Sequence, residues 1–390
     1  MTQTAEIVVV GAGVQGASLA FHLARRGADV LIVERTAVAA GATGRSSGFV
    51  RMHYDLLAES RIAWASLPYF REWAERVGHG DPMFVETGFI QLIGAPYADA
   101  LRANVAAQQA AGIRTEVLDP AGVRALVPGL VVADDEIAAY EPLSGYADPT
   151  ATATGFLAAA RAAGARYLAG SEVAAVRTAG DRVIGVSTGH GDIDAPIVVD
   201  AAGPWAARLA ATAGVDIPVV TWRHDTGYLG RPDGFAASFP IIIDHPGAAY
   251  FRPEGESLVL IGLEDDNEIG GSPDRPTGSA APTFTERAAE RIVRRLPAMR
   301  DGTFHSAHSG HDGITPDQRA ILGPAGPQGF FLVCGFSGTG FKTAPAVGLA
   351  MSERILDGAA TSVDIAPFDP GRFAAGRPLT GEHPYEALWR

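Results

Sequence analysis

The sequence predicts an α/β fold led by a parallel βαβ unit, in a chain long enough for two interleaved domains. Three observations carry that expectation. Residues 6–34 read EIVVVGAGVQGASLAFHLARRGADVLIVE: an apolar run, three spaced glycines, a helical pattern and a second apolar run. Two more short runs, Ile197–Asp200 and Phe330–Cys334, read as buried strands far downstream. The chain has 390 residues, more than one small core needs.

Each piece of the leading unit has a physical reason. Ile7–Val10 is β-branched throughout and predicts a buried parallel strand. Gly11, Gly13 and Gly16 follow at G-x-G-x-x-G spacing. Gly11 permits a tight turn, Gly13 lets backbone approach a pyrophosphate, and Gly16 lets helix pack on strand. Ala17–Arg26 puts Leu19, Ala20, Leu23 and Ala24 on one helical face. Gly27 ends that helix, and Ala28–Val33 is the second strand. The helix start, with Val14 and Gln15, offers free N–H groups and a positive dipole end to phosphates. Glu34 stands at the strand tip, where an acid accepts the ribose hydroxyls of an adenosine. An acid there, rather than an arginine, disfavours a 2′-phosphate, so the dinucleotide expected is FAD or NAD.

Composition removes several classes. A net charge of −13 argues against nucleic acid or an anionic membrane as partner. The single cysteine, Cys334, excludes an internal disulfide and any cysteine-rich metal site, and no metal is expected. It fits a reducing cytoplasm. The first strand begins within a few residues of Met1, so no signal peptide is expected. No apolar run reaches the roughly 20 residues that span a bilayer.

After Glu34 and Arg35 the chain turns small and polar at Ala40–Gly48, AGATGRSSG. This is either a solvent loop or a loop whose N–H groups and hydroxyls wrap a second part of the cofactor. Arg51 follows, either a surface arginine or a substrate clamp, and then a helix over 57–77. Gly270–Pro282, rich in Gly and Pro, reads as an exposed loop.

Several motifs recur in one order: the Gly11-to-Glu34 unit, the Gly41–Gly48 loop, GYADP at 145–149, VVDAAGPW at 198–205, TPD at 315–317 and CGFSGTGFK at 334–342. In them, nearly end to end, the chain resembles the FAD-dependent D-amino-acid oxidase superfamily, in particular its sarcosine oxidase and sarcosine oxidase β-subunit branch. The resemblance implies a Rossmann-type FAD-binding domain over 1–85, 145–216 and 309–390. A substrate domain over 86–144 and 217–308, an α+β unit on an antiparallel sheet, interleaves with it. Local patterns agree: Thr87–Ile93, Val219–Leu229, Ala248–Arg252 and Ser257–Ile261 read as strands, and Glu286–Leu296 as an amphipathic helix. Thr150–Ala163 reads as a helix, and Tyr167–Ala169 and Ser171–Arg177 as strands.

The resemblance also places residues against the flavin cofactor. They are Thr43, Gly44, Arg45, Ser46, Ser47 and Gly48 in the first loop, and Val173, whose backbone meets adenine. Ala202, Gly203 and Trp205 follow the apolar strand. Gly338, Thr339, Gly340, Phe341 and Lys342 lead into a helix expected to start near Pro345. Arg51 and Lys342 match the pair that grips a substrate carboxylate, Arg with bidentate geometry. Tyr54, Tyr250 and Trp222 are candidate walls. His53, His224, His305, His308 and His311 are candidate bases, with His53 and Tyr250 placed in the catalytic set. Cys334 reads as a packed core thiol. The tail, with Phe368, Phe373, Tyr385 and Trp389, is expected to pack over the surface.

Three departures from the family pattern shape the expectations. Covalent-flavin members tether FAD by a cysteine where Gly310 stands, or by a histidine corresponding to Arg45, so the FAD expected is non-covalent. The lysine that activates oxygen belongs near Val259–Leu260, where none exists, which leaves the acceptor open between O2 and a redox partner. The arginine of the glycine oxidase branch falls near Asp312. The activity implied is oxidation of a secondary or N-methyl amine, an amino acid first, by hydride transfer to flavin N5. The alternatives are a 2-hydroxy-acid or alcohol dehydrogenase, a non-catalytic FAD-binding subunit of a larger complex, and an NAD-dependent dehydrogenase. The partners implied are a small-molecule amine and an electron acceptor; oligomeric state is not given by the sequence.

Overall fold

The computed structural model describes residues 3–235, 238–265 and 267–386. Trp389 lies outside them. Among the described residues, the leading unit seeds a six-stranded sheet. Its order is Ile321–Pro324, Phe330–Cys334, Ile197–Asp200, Ile7–Val10, Val30–Val33 and Arg166–Leu168. Neighbouring strands are parallel except for the Ile321–Pro324 hairpin edge. The strands alternate between two cores, as a two-residue period requires. Ile7, Val9, Val30 and Ile32 face the helices Val14–Arg25, Pro149–Ala162 and Gly340–Leu356. Val8, Val10, Leu31 and Val33 face Ala206–Thr212 and a four-stranded sheet formed by Gln3–Thr4, Gly191–Asp194, Arg182–Thr188 and Val173–Ala179.

A nine-stranded sheet forms the second body. It is mixed, not wholly antiparallel, because Ile241–Asp244 pairs parallel to Phe89–Ile93. The boundary expected at 308 falls inside the strand Thr303–Ile314, which pairs along its length with Val220–Gly230. One face packs on the helix Phe284–Arg295, whose Phe284, Ala288 and Ile292 recur every four residues. The other presents Phe89, Ile243 and Tyr250 together with Phe49 of the first body.

Two helices differ from expectation. The segment 57–77 is Leu57–Arg71 and then Trp73–Arg76, broken at Glu72 one turn after Pro68. The C-terminal helix is Gly340–Leu356, with Pro345 inside it. Lys342 is therefore in the first helical turn instead of the loop. The tail also differs: Phe368 and Tyr385 are buried core residues, and only Phe373 is half exposed.

Arg295, the last residue of Phe284–Arg295, ties that helix to the nine-stranded sheet. It makes paired bonds to Asp244 at 2.7 and 2.6 Å and to Glu136 at 2.8 and 2.7 Å, all three groups being buried. Removing one member of a buried ion cluster leaves uncompensated charge, which costs about 3–5 kcal/mol. Arg295→Met is expected to lower the free energy of urea unfolding by that amount. A loss below about 1 kcal/mol would show that the carboxylates find water or protons instead.

Candidate active site

One cavity of about 860 Å³ runs between the two bodies, and nearly all the motifs meet on it. Its floor is the turn after Ile7–Val10. Gly11 has φ +105°, a conformation that favours glycine, and a Cβ on Gly16 would fall inside the Gly11 carbonyl oxygen. Gly13 is different. Its backbone is extended, and a Cβ there meets only the Thr43 hydroxyl, at 3.2 Å. Glycine here keeps space for a ligand. Thr43 accepts a bond from the Val14 N–H at 3.0 Å, so the 40–48 loop is fastened to the helix start. Thr43, Arg45, Ser46 and Ser47 line the cavity, while Gly44 and Gly48 pack behind it against the Ala39 and Ala147 carbonyls.

Glu34 lines one end. Its Oε2 accepts the Ala12 N–H at 2.9 Å, and its Oε1 accepts the Thr36 N–H at 2.8 Å and the Thr36 hydroxyl at 3.2 Å, which fixes the carboxylate and leaves a lone pair on Oε2 for a ribose hydroxyl. Val173, Ala202, Gly203 and Trp205 line the same end, with Arg35 stacked 4.2 Å from the Trp205 ring. Gly270–Pro282 is more than an exposed loop. Pro273–Thr277 closes over this end, and Asp274 accepts bonds from Trp205 Nε1 at 2.7 Å, Arg208 at 2.5 Å and Arg35 at 3.3 Å. Those donors hold the Asp274 carboxyl well below its usual range. Sequence patterning missed this latch because Gly-, Ser- and Pro-rich composition reports only a turn.

The other end is the first turn of Gly340–Leu356, which carries no side-chain cap. Gln15 ties this helix start to the first one, its Nε2 donating to the Gly340 carbonyl at 2.7 Å. Asp312 orders the approach: its oxygens accept the Gly313 and Gly338 N–H groups, each at 2.8 Å. Two helix N-termini thus open on one cavity, one for a pyrophosphate and one for an anionic ring edge. The open space at Gly13, the fixed Glu34 and the paired helix starts fit FAD along their length.

Arg51 and Lys342 converge on the wall beyond that ring edge. Arg51 is 3% exposed and Lys342 5% exposed, and both line the cavity. The guanidinium lies 4.2 Å from the centroid of the Tyr54 ring, and the ammonium 6.0 Å from the same centroid. Arg51 donates to the His53 carbonyl, and Lys342 to the Gly338 carbonyl at 3.1 Å. Burial first, and then the Arg51 charge, pull Lys342 down to about 7; Glu59 and Asp312 oppose them. Lys342 is also the one lysine in the chain, in which every other basic side chain among 31 is arginine. That contrast was legible without any structure.

Other candidates sort by position. Tyr250, Trp222, His224 and His311 line the cavity. Tyr54 backs the wall, behind Arg51. His53 is corrected: its ring is fully enclosed, held between Gln108 and Tyr385, and does not reach the cavity. His305 is exposed and His308 lies behind Arg45; neither lines the cavity. His311 Nδ1 donates to the Pro273 carbonyl at 3.0 Å and is thereby committed to the latch. His224 remains. Burial lowers its pKa to about 4, so it is a neutral imidazole near pH 7, and its Nδ1 has no protein partner. Val259 and Leu260, near which the resemblance places an oxygen-activating lysine, pack in sheet cores and do not line the cavity. Arg319, which no motif reading singled out, lines the cavity while paired with Asp55 and Glu59. Among the described residues, no helix is long and apolar enough to cross a membrane.

Comparison with known proteins agrees with this geometry. The family described as FAD dependent oxidoreductase matches residues 6–354. Human mitochondrial sarcosine dehydrogenase is 28% identical over 96% of this chain and 42% of its own length. The 4-methylaminobutanoate oxidase (formaldehyde-forming) of Paenarthrobacter nicotinovorans is 26% identical over 93% of this chain and 45% of its own. The chain thus spans less than half the length of these relatives. Among solved structures, L-proline dehydrogenase from P. horikoshii superposes with a TM-score of 0.89 at 26% identity, covering 97% of this chain and 100% of that one. Glycine oxidase from Geobacillus kaustophilus, at 24% identity and a TM-score of 0.83 over 95% and 99% of the two chains, shares the fold.

Proposed function

The chain belongs to the family of FAD-dependent oxidoreductases, and from that premise we propose that it oxidises a secondary or N-methyl amine bearing a carboxylate, an N-methyl amino acid or a cyclic imino acid. The observation that carries this reading is the meeting of Arg51 and Lys342 on one wall of the cofactor cavity. Two buried cations side by side favour an anion between them. The names of the relatives, sarcosine dehydrogenase, 4-methylaminobutanoate oxidase and L-proline dehydrogenase, are those of enzymes acting on such amines.

FAD held by the Gly11–Gly16 turn, Glu34 and the two helix starts would supply an electron sink for a hydride from the carbon next to the substrate nitrogen. The protein does the rest by position. Arg51 and Lys342 grip the carboxylate. Tyr250, Trp222 and Ile243 wall the cavity and exclude water from the reacting carbon. His224, neutral near pH 7, offers an acceptor to the amine N–H and so selects the amine rotamer that faces the ring. An amine delivered neutral needs no base for hydride loss. Anaerobic bleaching of the flavin absorbance by a panel of N-methyl amino acids, primary amino acids and 2-hydroxy acids tests the reading. Bleaching by hydroxy acids alone would transfer the assignment to C–O oxidation, and no bleaching by any compound would leave a cofactor-carrying subunit.

The FAD of this reading is non-covalent. Gly310 and Arg45, at the two tethering positions, face each other closely: a Cβ on Gly310 would lie 2.9 Å from Arg45 Cβ. Acid precipitation is therefore expected to leave the yellow colour in the supernatant; colour in the pellet would show a bond. With no lysine near 259–260, reoxidation of the reduced protein by a dye or redox partner is expected to outrun that by O2. Cys334, buried and unlinked, suits the reducing cytoplasm as the place of work.

A further inference from the structure

The C-terminal tail is built into the reverse side of the Arg51 wall. The Tyr385 side chain is 1% exposed, and its hydroxyl lies 2.9 Å from His53 Nε2. His53 Nδ1 lies 2.9 Å from Gln108 Oε1. Gln108 Nε2 donates to the Tyr54 carbonyl at 2.9 Å. A carbonyl only accepts, so that bond fixes which end of the amide is nitrogen, and Gln108 meets His53 with its oxygen. His53 Nδ1 must then carry the proton. Its Nε2 is an acceptor, and the Tyr385 hydroxyl is the donor. The tail is tied down just before this contact: Glu382 N–H donates to the Asp55 carbonyl at 2.9 Å, the Leu57 N–H donates to Glu382 Oε2 at 2.9 Å, and Asn104 Nδ2 donates to the His383 carbonyl at 2.8 Å. Burial keeps the His53 ring neutral, in accord with one donor and one acceptor.

The same short segment presents the clamp. Arg51 donates to the His53 carbonyl and lies over the Tyr54 ring, so the backbone and ring that fix the guanidinium are those that Gln108 and Tyr385 hold from behind. We propose that Tyr385 is a positioning residue for Arg51: through His53 it keeps segment 51–54 in the register that aims the guanidinium at a bound carboxylate. The inference rests on the carboxylate-clamp reading above. The C-terminal tail is then part of the substrate site without touching substrate.

The test uses the full-length holoprotein, with acetate as an unreactive carboxylate and acetamide as its neutral counterpart, both titrated by their perturbation of the flavin spectrum. Tyr385→Phe strands a buried acceptor on His53 and is expected to weaken acetate about tenfold, with flavin content kept and acetamide changed by less than about twofold. In an Arg51→Met background it should have no further effect, which a general loosening of the fold would not reproduce. Gln108→Leu breaks the same chain at its other end and should show the same pattern if Tyr385→Phe folds poorly. Unchanged acetate affinity in both variants, equal weakening of both probes, or full additivity with Arg51→Met would overturn the positioning role while the clamp stood. Acetate binding that ignores Arg51→Met would remove the clamp itself, and this inference with it.

Discussion

Gly13→Val is expected to yield a folded protein without flavin. The extended backbone at Gly13 suits any residue, and a Cβ meets only the Thr43 hydroxyl at 3.2 Å, so the chain accommodates the change. The added methyls instead enter the cavity where the pyrophosphate must approach the helix N-terminus. Losing two charge-assisted bonds at about 1.5–3 kcal/mol each removes about 3–6 kcal/mol. That is a fall in FAD affinity of roughly a hundredfold to ten thousandfold. The ratio of flavin to protein absorbance after purification reads it directly, beside a far-ultraviolet spectrum that should not change. Gly16→Val is the contrast. Its Cβ would overlap the Gly11 carbonyl oxygen, so helix and strand must separate, and folded protein should be lost with the cofactor. Normal flavin content in Gly13→Val would mean the phosphates lie elsewhere, and the assignment of the cavity floor would fall.

Arg51→Met is expected to lower kcat/KM for a carboxylate-bearing amine by about ten- to a hundredfold. A charge-assisted bond contributes about 1.5–3 kcal/mol, and each 1.4 kcal/mol is roughly tenfold. FAD should stay bound, and the matching amine without a carboxylate should lose much less. Lys342→Met should act in the same direction, with one more signature. Lys342 titrates near 7 before an anion binds, because burial and the Arg51 charge disfavour its ammonium. Below that pH both cations are present. As pH rises through it the site keeps only Arg51, so acetate affinity should weaken with rising pH in the native protein and lose that dependence in Lys342→Met. Because Lys342 is the one lysine, protein labelled with ζ-15N lysine gives a single side-chain ammonium resonance. Its titration should move upward when acetate binds, since an anion favours the charged form. A resonance that titrates near the ordinary lysine value, with or without acetate, would refute the picture of a buried cation pair.

The βαβ unit was legible in the sequence because its signals are local. β-Branched runs, glycine spacing and a terminal acid each act within a few residues, and the strands Ile7–Val10 and Ile197–Asp200 stand where the pattern put them. Arg51 and Lys342 were legible only through resemblance, although the isolation of Lys342 among arginines was a signal of its own. His53 misled because a histidine two residues from a site arginine looks catalytic in one dimension. In three, segment 51–54 lies outside any strand, so no two-residue period keeps the two side chains together, and the His53 ring is held by Gln108 and Tyr385 instead of the cavity.

What the sequence determined by itself was the dinucleotide cradle: its strand, turn, helix and second strand, the room at Gly13 and the acid at Glu34. Those depend on φ freedom, side-chain size and charge over spans shorter than a helix. What tertiary structure decided was which distant segments share a surface. Nothing in Gly270–Pro282 announces that Asp274 will bridge Trp205, Arg208 and Arg35, and nothing in the tail announces that Tyr385 will close on His53. Such contacts have no period and no spacing rule. They follow from the packing of two sheets and the burial of polar groups that must then find partners, and that accounting is settled only when the whole chain is folded.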